Sequence, residues 1–286
     1  MDIPHELNLV LPPEIAAQLK SMKCKDAAEE IRLRIGQAAS VVTSSGTIHS
    51  AGKPVAKEHL DHILERASGS SMHTSADMLR NGYLYAASGC RIGFCGTVIS
   101  GGAGLRAITS VNIRIPHEMK GCAESLAQKV MEEGSPNTLI LSPPGYGKTT
   151  LLRDLIRCLS RRGIRVCAAD ERGEISGTQD RIRSFDLGPN TDVMIGGRKS
   201  ETAMMLLRAM SPQILAFDEI TSPDDLAVIE EATGCGVALL ATAHARCRAD
   251  LERRLLYAAM LTKRIFTHAI WIDMTGGRRS YTLERL

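Results

Sequence analysis

The chain has 286 residues, 44% of them hydrophobic and 23% charged, which is an ordinary composition for one or two globular domains. A formal net charge of +3 is too small for the whole chain to bind polyanions by charge alone. With 3% aromatic residues, a surface of many stacked bases is also disfavoured, so the composition argues against a nucleic-acid partner.

Residues 1–120 are predicted to form a small α+β domain. Alternation of apolar and polar residues predicts short strands at 31–36, 40–48, 90–99 and 110–115, the second run folding back as a hairpin. Helices are predicted at 57–67 and 75–81. Thr74 and Asp77 have the spacing of a capping box for the second helix.

Residues 121–286 are predicted to form a larger domain in which strands and helices alternate. Near-continuous apolar strands are predicted at 137–141, 164–170, 214–220 and 236–243. Amphipathic helices are predicted at 150–160, 201–210 and 223–233, the last with Ser222 as its N-cap and Pro223 in its first turn. This pattern indicates an α/β fold with a mainly parallel sheet covered on both faces. Short strands near 265–273 and 281–286 are expected to extend the sheet at one edge.

The residues after the first of these strands match a phosphate-binding loop. Residues 142–149 read SPPGYGKT, the pattern G-x-x-x-x-G-K-[ST] with serine in place of the first glycine. Small residues let backbone N–H groups surround phosphate oxygens, and the following helix adds the partial positive charge of its N-terminus. Lys148 can reach the β- and γ-phosphates of ATP, and the Thr149 hydroxyl can bind Mg²⁺. The predicted nucleotide contacts are Ser142, Pro143, Pro144, Gly145, Tyr146, Gly147, Lys148, Thr149 and Thr150.

Ser142 is the one departure from this pattern. A loop position that requires a positive φ favours glycine, because a side chain is strained there. If the first position requires a positive φ, Ser142 is strained there, which bears on the geometry of the loop rather than on nucleotide binding itself.

Two acidic residues at the end of the 214–220 strand are candidates for metal binding and catalysis. Asp218 would hold Mg²⁺ through water, and Glu219 would polarise the attacking water. Ligands of parallel sheets bind outside the carboxyl ends of the strands, so both residues are expected beside the phosphates. The plainer interpretation is an exposed acidic strand end.

Two further strand ends supply candidates. Glu171 follows the 164–170 strand and is a second candidate to orient the water, while Arg172 could pair with a carboxylate or reach the nucleotide of a neighbouring subunit. A solvated turn with local ion pairs is the alternative for both. Thr242 and His244 at the end of the 236–243 strand suit a γ-phosphate sensor, since either could hydrogen-bond a phosphate oxygen or the attacking water, although a lone histidine is more often structural or exposed.

Basic residues form small clusters rather than one face. The pairs Arg161–Arg162, Arg253–Arg254 and Arg278–Arg279 are expected on solvated faces. Three arginines of the first domain lie in or beside strands, namely Arg91, Arg106 and Arg114. We expect each to be an outward strand residue, with projection toward a nucleotide as the alternative.

The eight cysteines are scattered and form no CxxC pair, and a chain of this length has core enough without disulfides. We therefore expect reduced thiols and a cytoplasmic location. The N-terminal residues lack a basic segment followed by an apolar run, and no apolar stretch approaches the ~20 residues of a membrane helix. Any membrane attachment is expected to be peripheral, through a partner.

Several segments together resemble the stage III sporulation protein AA family of endospore-forming bacteria. They are LILSPPGYGKTTLLRDLIRCLS, VCAADERGEISG, DLGPNTDV, MMLLRAMSPQILAFDEI and ATAHA, in that order, preceded by GCRIGFCGTVIS and ITSVNIRIPHEMKG. More distantly, the second half is similar to type II and type IV secretion ATPases. In those enzymes an N-terminal α/β domain packs on a RecA-like domain, and six subunits close a ring.

The resemblance implies a RecA-like P-loop NTPase domain, with Glu171 in the acidic box and His244 in the His box of the secretion ATPases. Those enzymes commonly have glycine where this chain has Asp218, so which of Glu171 and Glu219 orients the water stays open. The resemblance further implies a hexameric, Mg²⁺-dependent ATPase of the mother cell that energises a channel complex in the membranes around the forespore. A RecA-like nucleic-acid-dependent ATPase and an ATP-binding scaffold with little hydrolysis are the alternatives.

Overall fold

The computed structural model describes residues 7–68, 82–85, 90–99, 105–134, 137–177, 185–276 and 278–286. They divide into two compact units. One holds the described residues up to His117 and also Gly177, and the other holds Glu118–Ser176 and Phe185–Leu286. The helix predicted at 75–81 lies outside the described residues. The assignment of 1–120 and 121–286 to two separate domains stays a prediction.

The first unit combines a sheet with short helices. Its elements are α1 (Leu7–Val10), α2 (Pro13–Ser21), β1 (Ala28–Arg34), β2 (Ser40–Thr43), β3 (Gly46–His49), α3 (Lys57–Ser68), β4 (Tyr83–Tyr85), β5 (Arg91–Val98) and β6 (Leu105–Arg114). The strands are antiparallel in the order β3-β2-β1-β6-β5-β4. Alternate residues of β1, Ile31 and Leu33, are fully buried, which is the period of two that predicted the strand.

The second unit alternates strands with helices, as its apolar pattern predicts. Its elements are α4 (Glu124–Glu132), β7 (Thr138–Ser142), α5 (Lys148–Arg161), β8 (Val166–Asp170), β9 (Thr191–Ile195), α6 (Lys199–Met210), β10 (Ile214–Phe217), α7 (Pro223–Gly234), β11 (Ala238–His244), α8 (Arg248–Arg253), α9 (Leu255–Thr262), β12 (His268–Thr275) and β13 (Arg278–Arg285). The strand order is β13-β12-β7-β11-β10-β8-β9.

All neighbours in this sheet are parallel except β12 and β13, which pair antiparallel at one edge. The prediction of an α/β fold with a mainly parallel sheet is therefore confirmed. Both edge strands expected near the C-terminal end are also present. The strand β9 at the other edge was not predicted from the sequence.

Burial on both faces explains the continuous apolar runs in the central strands. In β7, Leu139 and Leu141 pack in a core that includes residues of α6 and α7. The intervening Ile140 packs in a second core with residues of α4 and α5. A strand covered on both faces needs apolar side chains at every position rather than at alternate positions.

The helix α7 begins as predicted. Ser222 is the N-cap, its hydroxyl accepts a hydrogen bond from the backbone N–H of Asp225, and the Asp225 side chain completes a capping box. Pro223 occupies the first helical position. This start fixes the short turn that leads from β10 into α7. No helix among the described residues is both long enough and apolar enough to span a bilayer.

Candidate functional site

Four strands of the parallel sheet place their carboxyl ends next to one another. The strands β7, β11, β10 and β8 are successive neighbours, so their carboxyl ends lie side by side. Each strand is followed there by predicted site residues. The carboxyl ends of these strands therefore bring together the predicted phosphate-binding loop, His244, Asp218, Glu219 and the turn after Asp170.

The phosphate-binding loop spans the gap between β7 and α5. Gly145 has a φ of 80° and Gly147 a φ of 94°, a conformation that glycine adopts without the strain of a side chain. Ser142 is instead the last residue of β7, paired in register with His244, and its side chain is buried. Residue 142 does not have a positive φ, so the condition for strain at Ser142 is not met: the strand continues through this residue and the turn begins after it.

The ammonium group of Lys148 is held inside this loop. Its Nζ donates hydrogen bonds to the carbonyl oxygens of Ser142 and Pro143, each at 3.2 Å, and lies 2.8 Å from Nδ1 of His244. Burial lowers the pKa of Lys148, and the charges of Asp218 and Glu219 oppose that shift. The lysine is thus partly stripped of water at the point where an anion would be bound.

A hydroxyl–carboxylate pair lies next to the lysine. The Thr149 hydroxyl donates to Oδ2 of Asp218 at 2.5 Å, and the Thr242 hydroxyl donates to Oδ1 at 2.6 Å. Both oxygens of the Asp218 carboxylate are therefore oriented by threonine hydroxyls from neighbouring elements. Carboxylate and hydroxyl oxygens suit Mg²⁺, which keeps several waters and needs few protein ligands. The described residues contain no cluster of three His, Cys, Asp or Glu that could enclose a metal.

Glu219 has an unusual backbone and a defined side-chain partner. Its φ is 54°, in the left-handed region, and its N–H donates to the Thr242 hydroxyl at 2.8 Å. One carboxylate oxygen lies 3.2 Å from Nε2 of His244. His244 thus lies between Lys148 of the predicted phosphate-binding loop and the acid that is a candidate base.

The turn after β8 is organised by a buried carboxylate. Asp170 is 2% exposed and accepts hydrogen bonds from the N–H of Ile175 and from both the N–H and the hydroxyl of Ser176. Burial raises the pKa of Asp170 above its usual value, although these hydrogen bonds oppose the shift. Asp170 therefore has a structural position in this turn.

Arg153 holds the same turn from the side of α5. Its guanidinium donates to the carbonyl oxygens of Ile175 at 2.9 Å and Glu174 at 2.7 Å, and it lies 3.8 Å from the ring centroid of Phe185. Burial lowers the pKa of Arg153. The turn is therefore fixed at residues 174 and 175, whereas Glu171 and Arg172 at its start are exposed.

An open cleft of about 130 Å³ lies at the carboxyl ends of β8 and β10. Its lining includes the four predicted residues Glu171, Arg172, Asp218 and Glu219. The remaining loop residues occupy the segment from β7 into the first turn of α5, where Pro144 and Gly145 are exposed and Pro143, Tyr146 and Thr150 are half-buried. The predicted residues are therefore neighbours, and their roles stay predictions.

Two residues lie in the site that the sequence does not assign to it. Lys199, the first residue of α6, donates to the carbonyl oxygen of Glu219. Arg279 in β13 donates from Nε to the carbonyl oxygen of Tyr146 at 2.9 Å, and a Cβ on Gly147 would lie 3.2 Å from the same Nε. Arg279 was expected only on a solvated face. It is exposed, but its guanidinium lies on the phosphate-binding loop.

Solved structures with a similar fold include an ATPase and a pilus retraction motor. The ATPase DotB of Legionella pneumophila is 17% identical, with a TM-score of 0.59 covering 90% of this chain and 75% of that chain. The pilus retraction motor PilT with bound ADP is 13% identical, with a TM-score of 0.59 covering 95% of this chain and 81% of that chain. At these identities the likeness shows a shared fold.

Sequence comparison identifies the family. Protein SEEDLING PLASTID DEVELOPMENT 1 of Arabidopsis thaliana is 27% identical over 145 residues, which cover 48% of this chain and 20% of that protein. Stage III sporulation protein AA of Bacillus subtilis (strain 168) is 35% identical over 285 residues, covering 96% of this chain and 92% of that protein. The family model described as "Sporulation stage III, protein AA" matches residues 4–280, so the chain belongs to this family, as its motifs predict.

Proposed function

We propose that this chain is a Mg²⁺-dependent ATP hydrolase of the secretion-ATPase type that powers or assembles a channel or secretion complex between mother cell and forespore. The observation that carries the proposal is the convergence of Lys148, the Thr149–Asp218 pair and Glu219 at the carboxyl ends of neighbouring parallel strands. The family's sporulation name supports the setting. The fold shared with DotB, named an ATPase, and with a pilus motor bound to ADP supports the chemistry.

The residues fit a magnesium-bound nucleoside triphosphate. The two positive-φ glycines leave the loop backbone open to phosphate oxygens, and Lys148 is already oriented into the loop. Thr149 and Asp218 would hold the hydrated Mg²⁺. When bound, the ion neutralises charge that develops on the phosphate oxygens during phosphoryl transfer.

The chain's own residues then have distinct tasks. Lys148 would leave the Nδ1 of His244 for phosphate oxygens, and the imidazole would then be free to turn its Nε2–H toward the γ-phosphate. Glu219 is the better-placed residue to orient the attacking water, because its carboxylate lies against His244 and follows directly after Asp218. Glu171, exposed in the same cleft, is the second candidate.

A ring would complete the site and convert turnover into work. We propose a homo-hexamer in which arginines of a neighbouring subunit, with Arg172 as one candidate, neutralise phosphate charge. The hexamer would act in the mother cell through protein partners of a membrane channel complex. Nucleic acid has no part in this proposal.

The decisive experiment is ATP turnover by the purified chain with Mg²⁺, compared with Lys148→Ala. We expect Lys148→Ala to abolish turnover, because the loop loses its only charge directed at the phosphates. Lys263→Ala is the matched control, since Lys263 is an exposed surface lysine paired with Glu230. Equal turnover by wild type and Lys148→Ala would refute the assignment of the site.

A further inference from the structure

The backbone of Glu219 is held in a conformation that costs free energy. A φ of 54° lies in the left-handed region, where the Cβ of any residue other than glycine crowds the backbone. Such residues persist only where their surroundings fix them, and they cluster at functional sites. The contacts that fix Glu219 therefore bear on how its carboxylate is aimed.

The neighbouring strand β11 fixes one side of this residue. The N–H of Glu219 donates to the Thr242 hydroxyl at 2.8 Å, and the N–H of Ile220 donates to the Thr242 carbonyl oxygen at 2.9 Å. These bonds hold the two N–H groups that flank the Glu219 carbonyl. Because the Glu219 carbonyl and the Ile220 N–H belong to one planar peptide group, the partner of that carbonyl holds the same peptide from its other side.

That partner is the ammonium group of Lys199, which donates to the Glu219 carbonyl oxygen. The Lys199 side chain is 12% exposed, and its Nζ also lies 3.5 Å from Oδ2 of Asp225, whose side chain is 9% exposed. The same Asp225 oxygen accepts the N–H groups of Thr221 at 2.9 Å and Ser222 at 3.0 Å. Lys199 thus joins the strained peptide to the capped start of α7.

We propose that Lys199 is a positioning residue that holds the Glu219 peptide in its left-handed conformation and so keeps the Glu219 carboxylate beside His244. The value of φ sets the direction in which Cβ leaves the chain, so relaxation of this peptide would redirect the whole side chain. The partners of Lys199 described above are a carbonyl and a carboxylate of the turn, not the phosphate-binding loop. Its effect would therefore fall on turnover rather than on nucleotide binding. The inference rests on the proposed ATP hydrolysis.

The test compares Lys199→Met with Lys199→Arg in ATP turnover and ADP binding. Because a misplacement of about 1 Å can cost about 100-fold in rate, we expect Lys199→Met to lower kcat by up to that factor while the Kd for ADP is unchanged. Lys199→Arg retains a cationic donor and should recover part of the rate. The double variant Lys199→Met/Asp225→Asn removes both charges, so that no unpaired carboxylate is left buried, and it should show the same loss of kcat.

A third comparison separates a positioning role from a general structural one. If Lys199 acts through the Glu219 carboxylate, Lys199→Met should add no further loss in a Glu219→Gln background. Lys263→Met is the control for removal of a lysine, and its kcat should match that of the wild type. The proposal is overturned if Lys199→Met/Asp225→Asn keeps the wild-type kcat, or if the affinity for ADP falls as much as kcat. It is also overturned if Lys199→Met lowers kcat in the Glu219→Gln chain by the same factor as in the wild type.

A readout without turnover keeps this inference distinct from the proposed function. Wild-type protein that hydrolyses no ATP would refute the proposed activity. In that case the ring ¹⁵N chemical shifts of His244, assigned with His244→Gln, still report its contact with the Glu219 carboxylate. A change of these shifts in Lys199→Met supports the positioning role, and unchanged shifts overturn it.

Discussion

The ammonium nitrogen of Lys148 lies 2.8 Å from Nδ1 of His244. Since a charged lysine can only donate, Nδ1 must accept, and the ring proton belongs on Nε2, which faces the Glu219 carboxylate at 3.2 Å. A single imidazole thereby connects Lys148 with the candidate base. In the proposed site, phosphate oxygens would compete with His244 for Lys148, so nucleotide binding and the freedom of this histidine would be coupled.

The first prediction concerns His244→Ala. Loss of the imidazole frees Lys148 for phosphate but removes the Nε2–H donor to the Glu219 carboxylate. We therefore expect KM to fall or stay level while kcat falls. A hydrogen bond to a charged group is worth about 1.5–3 kcal/mol, or roughly 10- to 100-fold in rate. Because the Glu219 side chain is 37% exposed, we expect the lower end of that range.

Steady-state kinetics of ATP hydrolysis check this prediction. His244→Gln is the matched control, because its amide can accept from Lys148 and donate to Glu219, and it should retain more of kcat. A rise in KM with unchanged kcat would instead mean that His244 only helps to bind nucleotide.

The second prediction decides between the two candidate acids. Glu219→Gln should keep ATP binding and lose about 10²- to 10⁴-fold in turnover, the usual contribution of a general base. Glu171→Gln should lose much less, because Glu171 is exposed and Glu219 is fixed beside His244. ATP binding and turnover of both variants, measured side by side, provide the check, and the reverse ranking would assign the water to Glu171.

The Glu219→Gln variant also addresses the alternatives to a motor. An ATP-binding scaffold should support sporulation with this variant, whereas a motor should not. A nucleic-acid-dependent ATPase should show turnover that rises on addition of single-stranded DNA and falls again with salt. Stimulation of this kind would replace the proposed secretion role.

The elements that the sequence predicts well are those specified by local pattern. The central strands are recognisable because both faces are buried, and the start of α7 because Ser222, Pro223 and Asp225 are neighbours along the chain. The edge strand β9 lacks this pattern, since its middle residues are only partly buried. Periodicity therefore locates the buried sheet better than its margin.

The site was predictable where a motif is contiguous and not where contacts are long-range. The loop around Lys148 is readable from residues 142–149 alone. Arg279 contacts Tyr146 across 133 residues and Lys199 contacts Glu219 across 20, and nothing local signals either contact. The positive φ of Glu219 was equally hidden, because no glycine marks the position.

The third prediction concerns stability and the buried carboxyl of Asp170. Burial raises the pKa of Asp170 in the folded chain above the value of about 3.9 expected when unfolded. The folded state therefore binds this proton more tightly, so the contribution of Asp170 to stability is full below that unfolded value and is lost as pH rises through the raised pKa. Asp170→Asn cannot titrate and should lack this dependence.

Urea unfolding of wild type and Asp170→Asn, from below the unfolded pKa of Asp170 to above its raised folded pKa, measures the difference in their free energies of unfolding. The unfolding free energy of wild type relative to Asp170→Asn should decrease as pH rises and then level off. Asp186→Asn is a useful comparison, because the pKa of Asp186 is lowered in the folded chain. The unfolding free energy of wild type relative to Asp186→Asn should therefore increase as pH rises. A wild-type curve parallel to that of Asp170→Asn would contradict the prediction.

The last prediction concerns Arg279, whose guanidinium holds the carbonyl oxygen of Tyr146 and lies over Gly147. Without it the phosphate-binding loop should be less ordered before nucleotide binds, so ordering would be added to the cost of binding. A hydrogen bond of this kind is worth about 1 kcal/mol, which corresponds to roughly a 5-fold rise in the Kd for ADP in Arg279→Ala. Arg278→Ala, the exposed neighbour along β13, should bind ADP like the wild type. Calorimetric titration with ADP makes the comparison, and equal affinities of both variants would show that the contact with Tyr146 does not preorganise the loop.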